Sequence, residues 1–230
     1  WQYFKYKRGN ELVERDDGFF DVPVGPKAYF SEYKDWPIHE KKALKFAKGR
    51  ILDIGCGPGR ITLYLQKKKF DVTAIDTSNK AIEICRSRGI KKAKIMSIDE
   101  IGKFKKDSFD TIIMYGNNFG LFGNLKKAKI LLKKLYKITS KNALIIAESN
   151  DPYKTDNPDH LAYHKFNKKR GRMPGQLRIR VRFGKCIGDW FDYLIVSKKE
   201  MEEILKGTGW KIKKFIDSGK SMYIAVIEKS

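Results

Sequence analysis

The sequence predicts an α/β protein built on a doubly wound, mostly parallel sheet. Between residues 51 and 147, short β-branched and aliphatic runs alternate with segments of helical periodicity, which is the pattern of successive βα units. The first apolar run breaks into a glycine-rich turn, and the next one ends on an acidic residue. Such an order is typical of the ligand-binding edge of a doubly wound sheet, whose connections are right-handed.

The predicted elements begin with a helix at residues 38–47, which stops at a glycine before the first strand. Apolar runs predict five strands, at residues 51–54, 70–75, 94–98, 109–115 and 143–147. Helical spacing predicts the intervening helices, at residues 61–66, 79–88 and 124–138. One more helix is predicted at residues 197–206, followed by two strands at residues 210–216 and 222–228.

The length of 230 residues and the hydrophobic content of 41% suit one compact domain and are short for two. We expect an arm and helix at residues 1–48, then a main domain at residues 49–230. Residues 149–196 form an insertion longer than a plain helix crossover. No apolar run approaches the length of a membrane span. The chain starts at Trp1 rather than Met, so the question whether an N-terminal leader has been removed is left open.

Three isolated cysteines, Cys56, Cys85 and Cys186, lack the paired spacing of a zinc site or a disulfide scaffold. They predict reduced thiols and a cytoplasmic location.

The formal net charge of +22 has two readings. A basic surface is the electrostatic footprint of a nucleic-acid binder. Lysine outnumbers arginine and is spread along the whole chain, which a lysine-biased or heat-adapted surface also produces. We favour the second reading for the charge as a whole.

The central motif is the stretch at residues 51–60, ILDIGCGPGR. It predicts a buried strand, a tight turn and a helix start. Glycine adopts positive φ freely and lets backbone N–H groups approach a ligand. Arg60 stands where a dinucleotide fingerprint needs a small residue, and no Lys-Ser or Lys-Thr pair follows as in a phosphate-binding ATPase loop.

This stretch resembles motif I of the class I S-adenosylmethionine-dependent methyltransferases, an acidic residue followed by G-x-G-x-G. The resemblance implies a Rossmann-like methyltransferase fold with a seven-stranded sheet whose last strand is antiparallel. It also implies that the cofactor is S-adenosylmethionine. The residues that it assigns to the methionine end of the cofactor are Asp53 and the backbone of Gly55, Gly57 and Gly59. Cys56 is interpreted as a small turn residue and is included in the predicted cofactor site.

Asp76 is predicted to bind the cofactor ribose. It lies 21 positions after Gly55, at the end of the second strand, where a carboxylate can accept hydrogen bonds from both ribose hydroxyls. Asp76 could instead cap the next helix, but Ser78 can do that. Thr77 is included in the cofactor site. The resemblance places Asp99 at the adenine amino group, with Ile98 beside it.

The end of the fourth strand is expected to face the methyl donor. Tyr115 closes that strand, and Asn117 and Asn118 follow it as candidate substrate contacts, although a plain turn would also use them. The sequence here is not the Asp/Asn-Pro-Pro-Tyr of the methyltransferases that modify amino groups of nucleic-acid bases.

The insertion is expected to carry a β-hairpin lid. Residues 177–183 alternate strictly, with Arg178, Arg180 and Arg182 on one face, and residues 190–196 are the expected partner strand. We predict that Arg178 and Arg180 bind a phosphate or carboxylate of the substrate. The arginines could equally pair with acidic neighbours such as Asp189 and Asp192.

His160 and His164 lie one helical turn apart. No third ligand lies nearby, so no metal site is predicted. A proton acceptor is needed where the nucleophile carries a proton, and the candidates are His160, His164, Tyr115 and Glu148. Surface or core histidines would show the same spacing.

The aromatic-rich residues 1–36 have no regular periodicity and suit either a lid over an apolar pocket or a plain packing arm. Tyr29 is the substrate contact predicted from this arm.

The sequence therefore predicts an S-adenosylmethionine-dependent methyltransferase that acts on a small molecule. One alternative is an RNA methyltransferase acting on tRNA or rRNA. The other is a cofactor-binding protein without catalysis. No membrane partner is expected, and the oligomeric state is left open.

Overall fold

A computed structural model describes residues 2–6, 11–22 and 25–230. The described helices are α1 (Gln2–Tyr6), α2 (Ile38–Leu44), α3 (Arg60–Lys67), α4 (Asn79–Ser87), α5 (Leu125–Ile138), α6 (Pro158–Lys169) and α7 (Lys198–Leu205). The described strands are β1 (Glu11–Arg15), β2 (Phe20–Asp21), β3 (Arg50–Ile54), β4 (Asp71–Asp76), β5 (Ala93–Ile95), β6 (Phe109–Met114), β7 (Thr139–Asn150), β8 (Gln176–Phe183), β9 (Cys186–Ile187), β10 (Phe191–Leu194), β11 (Trp210–Asp217) and β12 (Met222–Lys229). Short 3-10 helices occupy Pro26–Phe30, Tyr33–Asp35, Ile98–Lys103 and Asn118–Phe122.

The central sheet has seven strands in the order β11-β12-β7-β6-β3-β4-β5. Strands β3 to β7 pair in parallel, while β12 runs antiparallel to β7 and to β11. The strand order reverses at β3, which lies between β4 and β6. This confirms the predicted Rossmann-like fold, and it places the glycine turn after β3 at the switch point where such sheets bind ligands.

Helices cover both faces of the central sheet. On one face Leu131 of α5 and Ile145 of β7 share a hydrophobic cluster, together with the buried residues of α7. On the other face Leu65 of α3 and Ile146 of β7 share a second cluster, which includes α2. Because neighbouring residues of one strand enter opposite clusters, the central strands are apolar throughout rather than alternating.

A small sheet (β1, β2, β8, β9 and β10) joins the N-terminal arm to the insertion. Its strand order is β10-β8-β1-β2, with β9 paired to β8. The predicted hairpin of β8 with β10 is present. The expectation that residues 1–36 lack regular structure is wrong for β1, which pairs with β8 along its whole length. The partner of β1 lies far along the chain, so local periodicity gave little sign of it.

Two local elements also differ from expectation. The predicted strand at residues 94–98 is shorter than expected. Ser97 and Glu100 form a reciprocal capping box, so a 3-10 helix begins at Ile98. Helix α6 was not predicted as a helix. Tyr163 and Asn167 are its buried residues, so it lacks the broad apolar stripe of an ordinary surface helix.

Candidate functional site

A cavity of about 630 Å³ lies between the small sheet and the carboxyl edge of the central sheet. The glycine loop (residues 55–59), Asp53 and Arg60 line it on one side. The second side is lined by the face of the small sheet that turns toward the cavity, called its inner face below. Helix α6 and the segment before it form the third side. The N-terminal arm, the insertion and the predicted cofactor loop therefore share one site.

Glycine is required in the loop for steric reasons. Gly55 has φ +70°, and a Cβ there would lie 2.5 Å from Nδ2 of Asn118. Gly59 has φ +81°, and a Cβ there would lie 2.1 Å from the side chain of Ile90. Gly57, with φ +53°, lines the cavity and has open space beside it. The loop can thus present its backbone directly to a ligand.

Asp53 is the penultimate residue of β3, is buried and lines the cavity. Its Oδ2 accepts a hydrogen bond from the Thr62 hydroxyl at 2.5 Å. Burial raises the pKa of Asp53 to about 6, and the nearby charge of Asp76 adds to the rise. The carboxylate is therefore a poorly solvated anion that favours a cationic ligand group.

Asp76 holds the glycine loop from the end of the neighbouring strand. Its Oδ2 accepts the N–H of Gly57 at 2.9 Å and its Oδ1 accepts the N–H of Ser78 at 2.8 Å. Ser78 caps α4, as expected. Burial raises the pKa of Asp76. Its neighbour Thr77 is exposed.

The residues assigned to adenine lie farther along this edge. Ile98 is buried, whereas Asp99 is exposed and pairs with Lys127 at 2.9 Å. Neither lines the cavity, so their role toward adenine stays a prediction. Cys56 lines the cavity and its Sγ lies 3.9 Å from that of Cys85.

An ion pair that the sequence did not indicate fixes the start of α3. Both oxygens of Glu40 accept from the Arg60 guanidinium at 2.9 Å. The guanidinium also lies over the Trp36 ring, 4.7 Å from its centroid. Helix α2 is thereby tied to the residue that follows the glycine loop. Helical spacing predicted α2 but gave no signal for this partner.

Tyr115 and Glu148 are engaged by neighbouring groups. Tyr115 lines the cavity, but its hydroxyl donates to the Glu40 carbonyl at 2.9 Å and burial raises its pKa well above the usual range. Glu148 is buried and accepts the N–H groups of Gly116 and Asn117 at 2.7 and 3.2 Å. A neutral donor and a fully bonded carboxylate are poor proton acceptors.

Asn117 and Asn118 both line the cavity. Asn117 has φ +64°, and its carbonyl accepts the Tyr193 hydroxyl at 2.6 Å. Its side-chain Oδ1 is buried without a hydrogen-bond partner among the described residues. Asn118 donates from Nδ2 to the carbonyls of Ile54 and Gly55. Asn118 therefore supports the glycine loop, while Asn117 retains an unused acceptor.

The inner and outer faces of β8 differ in character. Leu177, Ile179 and Val181 line the cavity. The three arginines project from the opposite face, so the assignment of Arg178 and Arg180 to the substrate is corrected. Arg178 pairs with Asp192 at 3.3 Å, and Arg180 pairs with Glu14 at 2.6 Å.

Arg182 also binds Glu14, and neither it nor Arg180 pairs with Asp189. Periodicity placed the arginines on one face correctly but could not tell which face was inward. Tyr29 does line the cavity, and its hydroxyl donates to Glu11 at 2.7 Å.

His160 and His164 line the cavity from α6. Nδ1 of His160 lies 2.9 Å from the Thr155 hydroxyl, and its ring meets Phe19 edge-on. Burial and the charge of His160 lower the pKa of His164, so its imidazole is neutral at neutral pH. The His164 ring can thus accept a proton at the cavity wall.

Within the described ranges, no group of three or more His, Cys, Asp or Glu residues is arranged to hold a metal ion. No helix in the described part of the chain is long and apolar enough to cross a membrane.

The residues around the glycine loop suit S-adenosylmethionine, since the open backbone at Gly57 and the carboxylate of Asp53 line the cavity. Asp76 holds Gly57 but does not itself line the cavity, so its role toward the ribose stays a prediction. A methyltransferase-domain family model matches residues 51–142. A SAM-dependent methyltransferase of Bacteroides fragilis, solved with S-adenosyl-L-homocysteine, is 27% identical with a TM-score of 0.82, covering 100% of this chain and 92% of its own. The chain therefore contains a methyltransferase domain and has the fold of the class I S-adenosylmethionine-dependent methyltransferases. The predicted family and its cofactor, S-adenosylmethionine, are confirmed.

Curated relatives of this methyltransferase differ in acceptor. The 23S rRNA (uracil(747)-C(5))-methyltransferase of Pyrococcus abyssi is 29% identical over 94 residues, which is 40% of this chain and 22% of the relative. The (S)-coclaurine N-methyltransferase of Thalictrum flavum subsp. glaucum is 29% identical over 104 residues, which is 43% of this chain and 28% of the relative. The chain spans about half or less of the length of the curated relatives it matches.

Proposed function

We propose that this methyltransferase transfers a methyl group to a small-molecule acceptor bound in the cavity under the small sheet. The observation that carries the proposal is the orientation of that sheet. The apolar side chains of β8 line the cavity, whereas the three arginines of that strand face away and are paired with acidic side chains. Arg15 of β1 does line the cavity, but it is paired with Asp17. A polyanion would be served by the reverse arrangement, with free cations toward the site.

The cofactor loop and the acceptor wall share one cavity, which supports direct alignment of donor and nucleophile. When bound, S-adenosylmethionine supplies an electrophilic methyl group. Asp53, the glycine loop and Asp76 would hold it, and the inner face of the small sheet would orient the acceptor. Alignment of this kind is the main contribution a protein makes to a displacement reaction.

His160 and His164 are the proposed proton acceptors for a nucleophile that carries a proton. Both line the cavity, and the lowered pKa of His164 keeps that ring neutral and able to accept. Thr155 fixes the orientation of His160 through Nδ1. We propose that Asn117 contacts the acceptor, since its carboxamide oxygen has no partner within the described ranges.

RNA is the second candidate acceptor, favoured by the net charge of +22 and by the rRNA-modifying relative. The test is to incubate the purified protein with methyl-labelled cofactor and, separately, with a small-molecule extract and with total RNA. Label in the small-molecule fraction supports the proposal. Label in RNA alone contradicts it. Cofactor binding with no labelled product would favour a protein without catalysis.

A further inference from the structure

The small sheet separates its charges by face. On the outer face the carboxylate of Glu14 lies between two arginines, and Asp192 pairs with a third. The hydrogen bonds from Arg180, and then Arg182, lower the pKa of Glu14 to about 2. The acids of this face are therefore neutralised by the strand beside them.

The inner face carries carboxylates that are not paired with cations among the residues described. Glu11 and Val13 share a face of β1, and Asp21 stands directly opposite Val13 on β2. All three line the cavity. Within the described residues, Glu11 accepts a hydroxyl from Tyr29, and neither Glu11 nor Asp21 forms an ion pair.

Hydrogen-bond acceptors also lie on the opposite side of the cavity. Asp151 lines it and has no ion pair within the described ranges, and its carboxylate accepts the Tyr153 N–H. The carboxamide oxygens of Asn117 and Asn150, which also line the cavity, are buried without partners among the residues the structure describes. Unsatisfied acceptors of this kind favour a ligand that brings donors.

The cations of the cavity wall are mostly compensated. Arg15 is paired with Asp17 at 2.7 Å and Arg60 with Glu40 at 2.9 Å. Lys154 is exposed and donates to the carbonyl of Lys220. In a chain with a net charge of +22, the described part of this cavity wall is therefore locally acidic.

We propose that the acceptor is an amine that binds as its ammonium ion, with an apolar or aromatic body. This rests on the proposed function. The inner face offers the matching apolar surface in Val13, Ile179 and Val181, and the aromatic ring of Phe191 also lines the cavity. The ring of Phe19 lines it too but already lies under the Arg15 guanidinium, 4.6 Å from the ring centroid. Aromatic faces attract ammonium groups, and the carboxylates of Glu11, Asp21 and Asp151 would offset the positive charge.

An ammonium has no lone pair, so it must lose a proton before it can be methylated. His160 or His164 would take that proton. The nitrogen lone pair then forms the new C–N bond while the S–CH₃ bond breaks, and that electron pair stays on sulfur. The methylated nitrogen then carries the positive charge that the sulfonium has lost, and the product is released as an ammonium ion.

The test compares two probes with the same body and opposite charge, phenethylamine and hydrocinnamate. Each is titrated calorimetrically into protein saturated with S-adenosylhomocysteine at about pH 7, where both probes are ionised. We expect the amine to bind about tenfold more tightly than the carboxylate. Combining Glu11→Gln with Asp21→Asn should weaken amine binding about threefold or more, because two partly exposed charge contacts are lost.

Asp192→Asn is the matched control, since it removes one carboxylate from the outer face of the same sheet. It should leave amine binding unchanged. Equal or tighter binding of hydrocinnamate, no saturable binding of phenethylamine, or no effect of the double substitution would overturn the inference. The proposed function fails separately. If labelled extract contains a methylated phenol or acid, the ammonium inference is wrong and the small-molecule function stands, whereas label in RNA alone removes both.

Discussion

Oε1 of Glu148 lies 3.0 Å from Nε2 of His39, and both side chains are buried. The other oxygen of Glu148 holds the N–H groups of Gly116 and Asn117. One carboxylate thus joins α2 to the turn after β6, which forms part of the cavity wall. We therefore predict that Glu148 positions that turn and does not accept a proton in the reaction.

Substitution of Glu148 tests this role. Glu148→Ala strands two backbone donors and His39 in the core, and removing one partner of a buried charged network costs about 3 to 5 kcal/mol. Glu148→Gln keeps an acceptor for the two N–H groups and should be much milder. Chemical denaturation gives the stabilities, and amide hydrogen exchange reports on Gly116 and Asn117. If Glu148→Gln folds normally but abolishes methyl transfer, Glu148 is a proton acceptor after all.

Asp76 is predicted to bind the cofactor ribose. Asp76→Ala removes the acceptor for the Gly57 N–H and the expected partner of two hydroxyls, at about 1 to 3 kcal/mol for each charged hydrogen bond lost. The affinity for S-adenosylhomocysteine, measured by calorimetry, should fall about tenfold or more. Asp71→Ala, at the opposite end of β4, is the control. Unchanged affinity in Asp76→Ala would remove this residue from the site.

The affinity for S-adenosylhomocysteine should depend on pH through Asp53. The pKa of this buried carboxyl is raised to about 6, so it is increasingly protonated as the pH falls below that value. A cationic amino group then binds only if the proton leaves, and affinity should fall by up to about tenfold per pH unit. Adenosine lacks the methionine part of the cofactor, so the pH dependence of its binding reports on Asp76 and not on Asp53. The same loss for adenosine would argue against Asp53 as the methionine contact.

The outer arginines are predicted to stabilise the small sheet. The pKa of Glu14 is lowered from 4.5 to about 2, so the ionised carboxylate contributes stability above about pH 4.5 and loses it as the pH falls toward 2. Replacing Arg178, Arg180 and Arg182 with Gln should lower Tm at neutral pH and flatten its acid dependence.

The affinity of that triple variant for S-adenosylhomocysteine should stay unchanged. A control with Lys126, Lys133 and Lys137 replaced by Gln removes the same charge from the exposed side of α5. A large loss of RNA affinity in the arginine variant alone, with Tm unchanged, would contradict the structural role.

The central sheet could be predicted because each of its strands carries a local apolar signal and each helix a local stripe. The strand β1 could not, because ELVER is mostly charged and its partner lies far along the chain. Glu14 and Arg180, for example, are 166 residues apart. Residues 11–15 also do not alternate between polar and apolar side chains, so the segment carries no local strand signal.

The cofactor half of the site was predictable from the glycine loop, because a run of glycines at alternate positions directly indicates positive φ and an exposed backbone. The acceptor half depends on which face of the small sheet turns inward. Strict alternation gave the two faces of β8, but the orientation follows from contacts of β1 and α6 that are distant in sequence. Sequence analysis also missed Glu11, Asp21 and Glu40, because their place in the site depends on contacts between segments that are distant in sequence.

The claim that the acceptor lies under the small sheet is tested most directly by filling the cavity. Ile179 is buried on the inner face, so Ile179→Trp should occupy the acceptor space, whereas Ile187→Trp adds the same ring to an exposed strand of that sheet. We predict that Ile179→Trp lowers methyl transfer to the small-molecule extract by about a hundredfold, since a misplacement of about 1 Å costs that much. S-adenosylhomocysteine binding should persist. Undiminished methyl transfer by a folded Ile179→Trp variant would contradict the account.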